Sequence, residues 1–145
     1  MNNNYTITIN GKQYASDTVE TLSLTTRGEF CRAQDGNFHI RYEESETTGF
    51  AGDTTTLVIE QNNRATLSRS GKTHSSLVIE KGRKHLCHYD TGVGTLIIGV
   101  YADKIENKLH EHGGSLRLRY KLDVNSNAVS VNELNITVRE NRTNA

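Results

Sequence analysis

Two charged side chains in this chain of 145 residues fall where an apolar side chain is expected. Glu44 continues the alternation of Ile40 and Tyr42, and Arg69 continues that of Leu67 in a later run. Successive residues of a strand point to opposite faces of a sheet, so both charges are predicted to point inward. A buried charge is strongly unfavourable unless it is paired. We therefore expect Glu44 and Arg69 to meet each other or a ligand of opposite charge.

Two interpretations of Glu44 and Arg69 remain, a clamp that holds a ligand and an internal brace. Arginine holds carboxylate and phosphate groups with paired N–H donors, and tyrosine hydroxyls can complete such a site. The candidate ligand-binding residues are Tyr42, Glu44, Arg69, Tyr89 and Tyr120. The apolar part of such a ligand is expected among Leu22, Leu24, Ile40, Leu118 and Leu122. In the alternative, Glu44 and Arg69 bind each other and brace one end of the fold.

Histidine and cysteine occur in two groups whose spacing suits metal ligation from a strand. His85 and Cys87 are two residues apart, as are His110 and His112, so each pair shares a strand face. Two such ligands hold Zn²⁺ only if further ligands arrive from elsewhere. No Cys-x-x-Cys or His-Glu-x-x-His motif accompanies them. We expect solvated side chains here, with no metal and no cofactor.

Cys87 beside His88 is the nearest approach to a nucleophile with its base. Nucleophilic catalysis needs the two groups within hydrogen-bond reach, whereas adjacent strand residues point to opposite faces. The sequence therefore predicts that this protein is not an enzyme.

The elements that position these residues are predicted to be strands. Threonine-rich runs with a period of two recur along the chain, separated by Gly, Asn and Asp, and helix signals are scarce. Besides the runs through residues 22–30, 38–44 and 116–124, the predicted strands include Thr54 to Glu60, Arg64 to Arg69, Leu77 to Lys81, Lys84 to Tyr89 and Thr95 to Ala102. A final run extends from Val129 to Val138. Its apolar residues change from one strand face to the other between Val131 and Leu134, which predicts a β-bulge near Asn132 or Glu133.

Up to ten short strands with short links favour one closed sheet. Closure removes exposed edges, and a sandwich would need longer crossovers than the two to six residues available for most links. The predicted fold is all-β, a single antiparallel up-and-down barrel of about eight to ten strands. It forms one domain over residues 1–145, ordered over about residues 4–140.

The charge balance limits the partners that we expect. Seventeen Lys and Arg match seventeen Asp and Glu, whereas nucleic acid and anionic membrane surfaces call for a basic excess. Arg117, Arg119 and Lys121 share one strand face, which we interpret as a solubilising surface. The sequence predicts neither a nucleic-acid partner nor a membrane partner.

The expected location is the cytoplasm. The start of the chain, MNNNYTITING, has neither the basic segment nor the apolar run of a signal peptide. Cys31 and Cys87 are accordingly expected to be free thiols in a reducing compartment.

Several short motifs occur in an order that resembles the YwiB-like family of small bacterial proteins. They are Thr25-Thr26-Arg27-Gly28, Tyr42-Glu43-Glu44, Arg69-Ser70-Gly71, Tyr89-Asp90-Thr91-Gly92-Val93-Gly94, and Gly114-Ser115-Leu116 through Tyr120-Lys121-Leu122. The likeness covers about Tyr5 to Glu140. It implies a calycin-like, lipocalin-type barrel in an intracellular protein of Gram-positive bacteria, with no established activity or catalytic residues.

Two functions follow as hypotheses. The first is a non-enzymatic binder of a small amphipathic molecule in the barrel interior. The second is a protein-interaction or structural module with a filled barrel, whose partner is another protein or a second copy in a homodimer. A contiguous cavity of about 300 Å³ or more, open at one end and lined by Arg69 and tyrosines, favours the first, and a filled interior contradicts it.

Overall fold

The computed structural model describes residues 4–44, 52–60, 63–72, 74–90, 93–125 and 127–141. Within these ranges the chain forms ten strands and no helix. The strands are β1 (Tyr5–Ala15), β2 (Thr18–Arg32), β3 (Phe38–Glu43), β4 (Thr54–Glu60), β5 (Arg64–Ser70), β6 (Ser75–Glu80), β7 (Lys84–Asp90), β8 (Thr95–His110), β9 (Gly113–Val124) and β10 (Asn127–Glu140). The sequence predicts disorder for the first few residues and for Asn141 to Ala145. At Asn141 this is wrong, because its N–H donates to the carbonyl of Asn4 at 2.7 Å. Residues 1–3 and 142–145 lie outside the described residues.

The strands close into one antiparallel barrel. Each strand pairs with the next along the chain, and β1 pairs with both β2 and β10. This arrangement confirms the predicted up-and-down barrel, at ten strands. In the described part of the chain, no helix has the length and apolar character needed to cross a membrane.

The hydrophobic core fills much of the barrel interior. Inward-facing side chains alternate with outward-facing ones along each strand, as the period-two runs predict. The largest side chains that are fully buried are Ile7, Ile40, Ile59, Ile79, Leu116, Val100 and Thr55. Glu44 and Arg69 share the alternation of the inward-facing apolar residues of β3 and β5, and both therefore lie in the interior.

The predicted bulge in the last strand is wrong in position. The register between β10 and β9 shifts between Ala128 and Ser130, and it is regular through Asn132 and Glu133. Ser130 and Asn132 are buried, with the amide of Asn132 donating to the Ser130 hydroxyl at 3.0 Å. The apparent phase change arises because two polar residues occupy inward positions, which leaves Val131 facing outward. The side chain of Val129 is not among those described.

β8 is twice as long as the predicted strand from Thr95 to Ala102. Its register with β9 shifts between Ala102 and Lys104, and pairing then continues to His110. The extra residue at this irregularity reverses the inward phase, so that Ile105 and Leu109 are buried beyond it. A uniform period of two cannot detect a strand that changes phase in this way.

Candidate functional site

A polar cluster forms on the inner wall where β3, β4 and β5 lie side by side. Tyr42 on β3 is opposite Thr55 on β4, and Thr55 is opposite Arg69 on β5. Glu44 follows directly after β3, where its N–H donates to the carbonyl of Asp53 at 2.8 Å. The strand register therefore brings these side chains to one place inside the barrel.

The carboxylate of Glu44 is the centre of this cluster. The Thr55 hydroxyl donates to Glu44 Oε1 at 2.5 Å, and Arg69 Nη2 lies 3.5 Å from the same oxygen. Only 1% of the Glu44 side chain and 17% of the Arg69 side chain are exposed. The two charges thus meet each other, and the hydrogen bond offsets part of the cost of removing the carboxylate from water. This is the geometry of the predicted internal brace.

Two tyrosines beside the pair keep their protons. Burial, aided by the nearby negative charge of Glu44, raises the pKa of Tyr42, and the charge of Arg69 opposes this rise. Burial raises the pKa of Tyr120 to about 12, again opposed by Arg69. At neutral pH both hydroxyls can therefore donate as well as accept a hydrogen bond.

A cavity of about 200 Å³ lies in the middle of the barrel next to this cluster. Its polar wall consists of Tyr42, Glu44, Arg69 and Tyr120. Its apolar wall consists of Ile9, Leu22, Leu24, Ile40, Leu57, Leu67, Ile79, Leu118, Leu134 and Ile136. The interior is therefore not filled, although the cavity is smaller than the roughly 300 Å³ at which drug-sized ligand pockets begin.

The hydroxyl of Tyr120 is the available polar group of this cavity. The residue is only 6% exposed and points inward from β9. Among the described residues, no hydrogen bond to this hydroxyl is present. A buried tyrosine hydroxyl usually has a hydrogen-bond partner, so this position suits a polar group of a bound molecule.

Two sequence-predicted residues lie away from the cavity. Tyr89 is on the inward face of β7, opposite Ser75, which is itself opposite Arg69. It packs against the core but is not among the residues that line the cavity. Leu122, expected beside the apolar part of a ligand, also packs on the core outside that lining.

The histidines and Cys87 have protein partners or face solvent. His85 Nε2 lies 2.9 Å from Glu80 Oε1, and the buried Cys87 accepts the N–H of Val78 at 3.4 Å through its sulfur. His88 is exposed on the opposite face of β7. In the described ranges, no group of three or more His, Cys, Asp or Glu is arranged to hold a metal ion.

Thr55 is a member of the cluster that the sequence analysis missed. It is fully buried, and its hydroxyl binds the interior carboxylate. The signal was present, because Thr55 shares the inward phase of Leu57 and Ile59 on β4, just as Glu44 shares that of Ile40.

Comparisons with known proteins agree with the fold. The family described as a domain of unknown function (DUF1934) matches residues 7–136. The crystal structure of the YwiB protein from Bacillus subtilis is similar, with a TM-score of 0.83 and 17% sequence identity, over 95% of this chain and 92% of that chain. These matches confirm the resemblance to YwiB-like proteins and the calycin-like barrel. A comparison with curated proteins found no match.

Proposed function

We propose that this chain, which belongs to the family described as a domain of unknown function (DUF1934), is a non-enzymatic barrel that binds a small amphipathic molecule in its interior. The observation that supports this most directly is the hydroxyl of the buried Tyr120, which faces a mainly apolar cavity and has no hydrogen bond among the described residues. The carboxylate of Glu44 is already engaged by Thr55 and Arg69, which supports a binding role over acid–base catalysis.

The volume of the cavity limits the size of the ligand. An engineered cavity of about 150 Å³ with an apolar lining takes up benzene. A cavity of about 200 Å³ is therefore matched to one ring, or a short alkyl chain, with one polar group.

The charge of the cavity wall limits the polar group. The positive charge of Arg69 is matched by Glu44 inside the barrel. A ligand carboxylate would have to compete with Glu44 for Arg69, leaving two negative charges close together in a poorly solvated space. The site is therefore expected to bind an uncharged polar group, such as a hydroxyl, in preference to the carboxylate or phosphate of the predicted clamp.

The test compares three probes of similar size: benzyl alcohol, toluene and benzoate. We expect benzyl alcohol to raise the melting temperature most and benzoate least, because a ligand that binds only the folded state stabilises it. Tyr120→Phe keeps the ring but removes the hydroxyl, and should weaken benzyl alcohol binding about threefold to tenfold. Tyr14→Phe, at an exposed tyrosine, is the matched control.

Native mass spectrometry of freshly purified protein supplies a second readout. A retained small molecule would identify the class of natural ligand. If none of the three probes binds at millimolar concentration, and only the mass of the protein itself is seen, a protein-interaction module without a small-molecule ligand replaces this proposal.

An outer apolar strip supports the second candidate function, self-association into a homodimer. Leu86 on β7 is 70% exposed, and Ile97 and Tyr101 on β8 are exposed beside it on the outer face. Gly99, opposite Leu86, leaves space at the centre of the strip that the ion pair of Lys84 and Asp123 occupies, with Lys84 Nζ 2.7 Å from Asp123 Oδ2. Sedimentation equilibrium should show a dimer that Leu86→Lys dissociates, and a monomer at all concentrations contradicts this candidate.

For location, we propose the cytoplasm of a bacterial cell. Cys31 on the outer face of β2 and Cys87 in the interior are both free thiols, which fits a reducing compartment. Recovery of the protein in the cytoplasmic fraction is the expected result of cell fractionation.

A further inference from the structure

A row of polar side chains crosses the wall of the barrel formed by β2, β1, β10 and β9. Glu20 is opposite Gln13, Gln13 is opposite Asn132, and Asn132 is opposite Tyr120. All four occupy inward-facing positions of their strands, in phase with buried residues further along each strand. Register partners on neighbouring strands lie side by side on one face, so the four form a continuous line.

The next row toward the core is apolar. It consists of Leu22, Gly11, Leu134 and Leu118, again as successive register partners. The Leu134 side chain packs over Gly11, since a Cβ at residue 11 would lie only 3.1 Å from Leu134 Cδ2. The inner wall thus changes from apolar to polar within one step of the strand register.

A second cavity of about 360 Å³ lies against this polar row. It shares Leu22, Tyr120 and Leu134 with the central cavity, so the two spaces adjoin at these side chains. The available hydroxyl of Tyr120 stands at their common wall. A ligand that spans both spaces would therefore place its apolar part in the central cavity and its polar part in the second.

The chemistry of the polar row favours a hydrogen-bonding head group without negative charge. Asn132 is only 8% exposed, and its side chain makes no hydrogen bond among the described residues except that to Ser130. The row therefore presents the amides of Asn132 and Gln13, the Tyr120 hydroxyl and the Glu20 carboxylate. It contains no cation that would bind phosphate or carboxylate. Lys12 lines the cavity from an outward-facing position, beside Glu133.

We infer that the second cavity is a head-group subsite, and that the ligand is an amphiphile with a small apolar part and an uncharged polyhydroxyl head. This inference rests on the proposed function, because the apolar part must first occupy the central cavity. Several hydroxyls on one head match the closely spaced acceptors and donors of the row.

The experiment extends the benzyl series with benzyl β-glucoside and benzyl phosphate, measured by titration calorimetry. We expect the glucoside to bind at least tenfold more tightly than benzyl alcohol, and the phosphate more weakly than the glucoside. Asn132→Leu should lower the affinity for the glucoside by about threefold to tenfold, and should change the affinity for benzyl alcohol by less than twofold. Asn135→Leu, at an exposed outward position of β10, is the matched control.

The outcomes separate the two proposals. If benzyl alcohol itself does not bind, the proposed function fails. If benzyl alcohol binds but the glucoside binds no tighter, if the phosphate binds best, or if Asn132→Leu weakens both ligands equally, the subsite is overturned while the proposed function stands. Should Asn132→Leu fail to fold, Gln13→Leu on the neighbouring strand provides the same comparison.

Discussion

At the level of single residues, the interior of this barrel depends on a charge pair that is nearly closed off from water. Oε1 of Glu44 accepts the Thr55 hydroxyl and faces Arg69. Such a pair is a weak source of stability as a whole, yet removing one partner exposes the full cost of a buried, uncompensated charge. Each residue of the pair is therefore expected to depend on the other.

Glu44→Gln is expected to lower the free energy of unfolding by about 3 kcal/mol, because it removes the negative charge that faces Arg69 inside the barrel. Urea denaturation measures this loss. Adding Arg69→Met should recover part of it, since both charges are then gone. Glu43→Gln, at an exposed position, should change stability by less than about 0.5 kcal/mol. Additive losses in the double variant would contradict the coupling.

Alkaline pH should weaken the fold through Tyr120. Burial raises the pKa of Tyr120 from 10.0 to about 12, so between these values the folded state holds a proton that the unfolded state has released. Stability therefore falls as pH rises through this window, by about 2–3 kcal/mol from this group alone. Tyr42, whose pKa is also raised, adds to the fall.

Urea midpoints measured from pH 9 to 12 test this dependence. Tyr120→Phe should reduce the slope of the free energy of unfolding against pH by the amount that corresponds to about one proton. Tyr14→Phe should leave this slope unchanged. An equal slope in the wild-type protein and Tyr120→Phe would show that Tyr120 already ionises in the folded state.

At the level of elements, β1, β2 and β3 approach each other closely around Gly28. A Cβ at this position would lie 2.5 Å from the backbone carbonyl oxygen of Arg41 and would also clash with the side chain of Ile7. Both neighbours are held by strand pairing, so neither can move independently of its strand. A glycine inside a strand often marks such an approach.

Gly28→Ala should therefore destabilise the protein by about 1–3 kcal/mol, the usual range for overpacking. Thermal and urea denaturation give the value. Gly94→Ala is the matched control, because a Cβ there meets nothing within 4 Å. If Gly28→Ala left the free energy of unfolding unchanged, β2 and β3 would have to move apart at this point without losing their pairing.

The elements also show where sequence patterns reach their limit. The period of two correctly predicted the inward phase of β3, β5 and β9, because side-chain alternation is a local property of an extended backbone. It misplaced the bulge of β10, because polar Ser130 and Asn132 stand at inward positions while Val131 faces outward. A rule that equates inward with apolar fails where the interior itself is polar.

At the level of the whole molecule, the first and last strands close the barrel. β1 pairs with β10 along ten register partners from Tyr5↔Glu140 to Tyr14↔Val131. These contacts join residues separated by most of the chain, and closing such long loops slows folding. The final closure is thus expected to follow the formation of the local hairpins.

Refolding should occur in milliseconds to seconds, as for other folds dominated by non-local strand pairing. The chain contains no proline, so the phase of about 10–100 s that prolyl isomerisation produces should be missing. Stopped-flow refolding after a long delay in denaturant tests this, with added prolyl isomerase as the control. A slow phase that is accelerated by the isomerase would contradict the prediction.

The sequence by itself determined which faces of the strands point inward, and with them the burial of Glu44, Arg69 and Tyr42. Only the tertiary structure decided that Glu44 and Arg69 face each other, that Tyr89 stands apart from the cavity, and that Asn132 joins Tyr120 in a polar row. The physical reason is that alternation is set within each strand, whereas distances and cavity volume depend on the number and stagger of all ten strands.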